Sequence, residues 1–286
     1  MMKLRIIIYC CMLCLPYAAY SQCSDAGICT LAHTQSKEQD TSASLTVALL
    51  LQSSASAKQD EIRYTIVQPE IHYSITNDVS IHGKFPYSWQ KGPQGRVWGI
   101  GDPLVSGLYR IYNDTERSVY LSAGVRITFG NDKEQSLPQA YQSSLGATDY
   151  LFGAMYSEFG GTVTAGYQFA GGRNNNITQL ERGDDVLFGL NYSYQVMEKL
   201  HIKPEVLFIK RLSESTTIDT RTFPYQYIIV PNSAQTQLNI GLGASYMVNK
   251  NSNVRIYVAF PTLKREVNVD GLTRAYTISV GYEVKF

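Results

Sequence analysis

The sequence predicts an all-β protein, a transmembrane antiparallel up-and-down β-barrel of about twelve strands, with short turns at one end and long loops at the other. Three observations predict it. Residues 276–286 (YTISVGYEVKF) alternate apolar and polar without a break, up to the final Phe286. Successive side chains of a strand point to opposite faces, so this ribbon is apolar on one side and polar on the other. Short and long connections follow one another in strict alternation along the chain, as in a membrane barrel. After the first residues, no apolar run is long enough for a membrane helix, the longest candidate being the strand-sized 45–51. A membrane chain of this composition must then be a closed barrel, since only closure satisfies every backbone group in lipid.

The first segment explains the compartment. Lys3 and Arg5 precede an uncharged apolar stretch, 6–15, and Ala19-Tyr20-Ser21 has small residues at both contact positions of a signal-peptidase site. Residues 1–21 are therefore expected to be a removed secretory signal, with Gln22 as the mature start. Cys10, Cys11 and Cys14 leave with it, and only Cys23 and Cys29 remain in an oxidising compartment. That pair predicts a Cys23–Cys29 disulfide in a polar periplasmic segment, 22–43, which precedes the barrel proper at 44–286. Two thiols alone do not complete a zinc shell.

Charge points to no partner. The full chain carries 25 basic and 24 acidic residues, and without Lys3 and Arg5 the balance is 23 against 24, a net −1. No basic stripe or basic-aromatic cluster suggests nucleic acid. No cofactor is implied.

Strands begin at 45–52, with Leu45, Val47, Leu49 and Leu51 on one side. Brief polar turns fall at 76–78, 113–117, 157–161, 197–199 and 249–253. Longer connections fall near 53–60, 86–102, 130–148, 171–184, 211–235 and 261–271. The clearest further strands are 119–129, 186–196 and 238–248. Each sets an apolar series such as Leu238, Ile240, Leu242, Ala244, Tyr246 and Val248 against glycines and small polar residues. The facing of 101–112 is not legible. Tyrosines near strand ends suit the aromatic girdles of the two membrane surfaces.

A turn centred on Asn77 pairs His72 with His82 and Glu70 with Lys84, and sends Ile71, Tyr73, Val79 and Ile81 to lipid. A turn centred on Glu198 pairs Gln195 with His201 and Ser193 with Lys203. Arg126, Glu205, Arg255, Glu283 and Lys285 also fall inward. A slip of one residue would put these charges in lipid, at about 2–4 kcal/mol for a midplane cation. The lumen is thus expected to be polar, either packed with side chains or open to a small solute. Glu70, His72, His82 and Lys84 are expected to set its constriction. His72 and Ser74 share a face, as an esterase needs, but no oxyanion hole is evident. A lumenal hydrolase is the lesser alternative to a non-enzymatic barrel. Facing histidines without a carboxylate or cysteine do not make a metal site.

The long loops carry Trp89 and Trp98, and further on Phe223, Tyr225 and Tyr227 in FPYQYIIVP. Exposed apolar clusters commonly mark binding surfaces, so these five are candidate ligand-capture residues if their loops fold inward. Otherwise 225–230 extends a strand beyond the membrane.

The alternation of Tyr276, Ile278, Val280, Tyr282, Val284 and Phe286, ending on a terminal aromatic, resembles the C-terminal signal by which Gram-negative outer-membrane barrels are recognised for assembly. That resemblance implies the outer membrane, its lipid and its assembly machinery as surroundings. GIGDPLVSGLYRI (99–111) resembles the Gly-Asp strand start of barrels of the phenol-degradation (MetA-type) transporter family, and CSDAGICT (23–30) the mature start of Bacteroidetes-type transporter-like barrels. These imply passage of small, often aromatic, hydrophobic molecules through a monomeric barrel. Solute would be captured by the loops and then passed on or released sideways through the wall. The alternative is a structural or adhesive barrel whose loops bind an external partner.

Overall fold

The computed structural model describes residues 44–56, 61–271 and 273–286. The signal segment, residues 22–43 and the Cys23–Cys29 pair lie outside the described residues. The strands are β1 (Ser44–Ser56), β2 (Arg63–Ser74), β3 (Val79–Lys84), β4 (Tyr87–Gly92), β5 (Gly95–Ile100), β6 (Leu104–Asn113), β7 (Arg117–Arg126), β8 (Asp149–Glu158) and β9 (Gly161–Phe169). They continue with β10 (Asp185–Tyr192), β11 (Tyr194–Met197), β12 (Leu200–Arg211), β13 (Thr216–Asp219), β14 (Gln226–Ile229), β15 (Thr236–Asn249), β16 (Ser252–Leu263) and β17 (Arg274–Lys285).

All pairings in the barrel are antiparallel, and β1 pairs with both β2 and β17, which closes the sheet and removes its edges. The ring has twelve staves, because three pairs of short strands act as single ones. β3 and β4 keep one register against β2, with Glu70 opposite Lys84 and Val67 opposite Tyr87. The break between them falls at Pro86, which has no N–H to give to a ladder. β5 leads into β6 through Gly101, where a Cβ would lie 2.9 Å from the Ser143 carbonyl oxygen and 3.0 Å from the Pro86 ring. β10 and β11 are parted at Ser193, whose N–H donates to the Gly160 carbonyl at 2.8 Å.

The stretch 86–102, expected as a loop, is therefore a hairpin that prolongs the wall. The run at 226–229 does form a strand, but it pairs with β13 in a separate two-stranded sheet. β6 turns Leu104, Ser106 and Leu108 away from solvent and Val105, Tyr109 and Ile111 outward.

Burial is inverted relative to a water-soluble domain. Leu49, Leu51, Phe152, Phe188, Leu190 and Leu242 are exposed on the outer wall, while Arg211 and Arg265 are fully buried inside it. The outward series costs nothing in lipid and a great deal in water. Inside, the upper part of β8, β10 and β12 packs Leu151, Leu187, Leu207 and Ile209 against Leu104 from β6.

Candidate functional site

The lumen is built from the inward position of each strand pair. Glu70 and Lys84 sit opposite one another and form an ion pair at 3.3 Å. Arg255 reaches across to Glu70 at 3.3 Å and to Glu283 at 3.2 Å, so β2, β3, β16 and β17 are tied by one alternating chain of charge. Gln68 donates to Glu70 at 2.7 Å. One rung nearer the short turns, the His72 and His82 rings stack with centroids 3.9 Å apart. Among the described residues, no three metal-ligating side chains converge.

Ten of the predicted lumenal residues line one cavity of about 830 Å³: Glu70, His72, His82, Lys84, Arg126, His201, Lys203, Arg255, Glu283 and Lys285. Glu205 lies behind them, buried, and accepts a hydrogen bond from the Tyr257 hydroxyl at 3.1 Å. The cavity starts among the short turns, where every stave contributes to its lining, and rises beside β1, β2 and β17. It meets Leu50, Tyr64, Ile66 and Leu104 higher up, and ends beneath 139–145 and Asp270–Gly271 of the long loops. Polar residues dominate its lower part, and its upper part mixes Leu50, Tyr64, Ile66 and Leu104 with Gln52, Asp102, Arg126 and Arg274.

The other side of the lumen is filled, and its ionic part was not foreseen. Arg126 pairs with Asp149, whose two carboxylate oxygens both accept from the Arg182 guanidinium at 2.6 Å. Arg182 continues to Asp270 at 3.1 Å, Asp270 to Arg211 at 2.8 Å, Arg211 to Asp185 at 2.9 Å, and Asp185 to Arg265 at 2.9 Å. Four arginines and three aspartates thus alternate in a buried line. Only Arg126 was legible as lumenal, because the others sit at strand ends or in stretches that look like solvated loops. A signal existed in Arg182, Arg211 and Arg265, which sit at or just beyond the long-loop ends of β10, β12 and β16, but charge there is ordinarily a solvated feature. Burial on its own raises the Asp270 carboxyl, and the surrounding Arg211, Arg182 and Arg265 outweigh it, holding that carboxyl well below the usual carboxylate range.

The long loops pack into the barrel mouth. Asp102, the acid of the Gly-Asp motif, accepts from the Ser144 hydroxyl at 2.5 Å, the Leu145 N–H at 2.7 Å and the Phe129 N–H at 3.2 Å. Loop 127–148 is thereby pinned to the start of β6. Its Tyr141 packs among Ile62, Tyr64, Ile66 and Val97. Asn174 donates to Gln139 at 2.8 Å and Asn176 to the Asp132 carbonyl at 2.6 Å, lacing loop 170–184 to loop 127–148.

The five candidate capture residues do not join this cavity. Trp89 and Trp98 are cross-strand partners on β4 and β5, 42% and 52% exposed on the outer face, because the residues between them, Ser88, Gln90 and Val97, take the inward positions. Phe223 is 93% exposed. Tyr225 and Tyr227 are also exposed, and Tyr227 carries the Arg173 guanidinium 3.7 Å above its ring. The Ser74 hydroxyl lies 3.5 Å from His72, the outer limit of a hydrogen bond. That imidazole stacks on His82, and among the described residues no carboxylate orients it as the third member of a hydrolase triad would.

In β17, Ile278, Val280 and Tyr282 point outward. The Phe286 N–H donates to the Leu45 carbonyl at 2.8 Å, across the closing seam.

No protein-family model matches the sequence, and no curated protein matches it. Solved structures do match by fold. An outer-membrane channel from Pseudomonas putida F1 has a TM-score of 0.58 at 11% identity, covering 88% of this chain and 100% of that one. The NanC porin has a TM-score of 0.52 at 10% identity, covering 85% and 100%. The translocator domain of the autotransporter NalP from Neisseria meningitidis has a TM-score of 0.50 at 10% identity, covering 91% and 92%. At these identities the likeness is one of fold, and the fold is the closed antiparallel twelve-stranded barrel found in outer-membrane proteins.

Proposed function

We propose that the protein is a passive outer-membrane channel for small solutes, with its short turns in the periplasm and its long loops outside. The observation that carries this reading is the cavity of about 830 Å³, which extends from the short-turn end to a lid of packed loops. A barrel kept only as a membrane staple would gain more from filling that space, as it fills the opposite side. The solute class we assign is a small molecule with an apolar or aromatic body. Beneath the lid Leu50, Tyr64, Ile66 and Leu104 offer apolar contact among polar neighbours, and the ion-paired residues line the cavity further down. The fold neighbours named as a channel and a porin, and the resemblance of 99–111 to phenol-degradation transporter barrels, support the same direction. Reconstitution in planar bilayers tests it: discrete conductance steps are expected, together with slower uptake of small aromatic solutes in a deletion strain. Silent bilayers and unchanged uptake would reject it.

One observation favours a second reading. The β13–β14 sheet holds Phe223, Tyr225 and Tyr227 away from the cavity, exposed, as an adhesive surface would. If it binds an external partner, replacing 216–229 by a short polar linker abolishes that binding and leaves conductance intact.

A further inference from the structure

On three adjacent staves the outward series ends in a basic residue at the same rung. In β2 the outward positions run Tyr73, Ile71, Pro69, Val67, Thr65 and then Arg63. On the β3–β4 stave they run Val79, Ile81, Gly83, Phe85, Tyr87, Trp89 and then Lys91, and β5 adds Ile100, Trp98 and Arg96. The register sets Arg63 opposite Lys91 and Lys91 opposite Arg96. All three side chains are exposed on the outer wall.

Like charges directly opposite one another in a sheet repel, because their Cβ atoms lie only about 4.5–5.5 Å apart. Among the described residues none of the three has an ion-pair partner, and the Arg96 guanidinium instead sits 5.7 Å over the Trp98 ring. The row therefore carries an electrostatic cost that no described residue offsets. Its height matters equally. From Tyr73 to Arg63 the strand climbs ten residues, about 34 Å along its axis and about 26 Å along the membrane normal at a typical tilt. That is the height of the apolar band of a membrane barrel. The rung below is Thr65, Trp89 and Trp98, with the indoles where an interfacial girdle belongs.

We propose that Arg63, Lys91 and Arg96 form a binding site for the phosphate groups of a phosphorylated lipid in the outer leaflet, with Trp89 and Trp98 packing against its acyl region. Two arginines and a lysine spread over about 10 Å, two strand spacings, present several N–H donors to phosphate oxygens. A lipid headgroup with more than one phosphate would neutralise all three cations at once. The site is separate from the lumen and does not depend on solute passage. It does rest on the long-loop end facing outward.

The test uses the purified full chain in detergent, with diphosphoryl lipid A as probe and binding read by microscale thermophoresis. Arg63→Gln/Lys91→Gln/Arg96→Gln is expected to weaken binding at least tenfold and Arg96→Gln alone severalfold. Lys199→Gln, at the opposite end, is expected to leave it unchanged. Heat-modifiable gel migration checks that each variant is folded. Dephosphorylated lipid A is expected to bind at least tenfold more weakly, and millimolar inorganic phosphate not to displace the lipid. Equal binding by the triple variant or by the dephosphorylated lipid would overturn the site, and full displacement by inorganic phosphate would overturn the lipid as its source. Labelling of Phe223→Cys, exposed at the long-loop end and away from the basic row, reads the orientation separately on intact cells, and protection there would overturn the outer-leaflet placement even if detergent binding survives.

Discussion

Asp270 illustrates how one side chain in a connection can govern the mouth of a barrel. It is buried and receives Arg182 and Arg211 together. Removing one partner of a buried ionic group leaves the others uncompensated, which typically costs about 3–5 kcal/mol. Asp270→Ala should accordingly release the lid, seen as faster protease cleavage within 170–184 and 264–271 while the strands stay protected. The pH dependence has a definite sign. A carboxyl whose value in the docked state is depressed stabilises that state fully above its free value of about 4, and the contribution is lost as the pH falls below it. Lid opening on acidification, with closure restored above about pH 5, is the expected outcome in conductance recordings. At the ion chain lower down, Glu70→Gln leaves Lys84 and Arg255 without their shared carboxylate. Reversal potentials in a salt gradient should shift toward anion selectivity.

At the scale of the element, periodicity made the wall legible and the interior of the loops illegible. The pairings of Glu70 with Lys84 and His72 with His82 follow from a turn position and the two-residue period, and β2 and β3 adopt that register because any slip would turn charge into lipid. Nothing local could show that 86–102 is a hairpin, since Pro86 and Gly101 look like loop punctuation although they only break a ladder that resumes beyond them. Trp89 and Trp98 were misplaced for the same reason. The buried line of Asp149, Arg182, Asp185, Arg211, Arg265 and Asp270 was invisible because it joins residues far apart in sequence, each bland alone. Two predictions belong here. Leu242→Arg, on the outer face of β15, should destabilise the folded barrel by about 2–4 kcal/mol if it lies near the midplane, measured by urea titration in lipid vesicles. Deleting 133–144, which roofs the cavity, should raise single-channel conductance severalfold, and an unchanged value would show that the lid does not limit flow.

Considered whole, the molecule is a cylinder packed on one side and hollow on the other. The packed side belongs to the middle of the chain, the upper parts of β8, β10 and β12. Near the short turns every stave lines the cavity, but higher up its hollow side belongs mainly to the two ends of the chain, where β1, β2 and β17 contribute Leu50, Gln52, Tyr64, Ile66, Arg274 and Thr277. Those are the first and last staves, and they meet only when β1 pairs with β17. Above the short turns, any route for solute therefore follows the join where the cylinder is zipped shut. A chain that inserts but fails to zip would have no conduit with a defined bore, only a torn flank open to lipid. Transport competence would then report on completed assembly, and truncating the tail at Phe286 should diminish both in the same proportion.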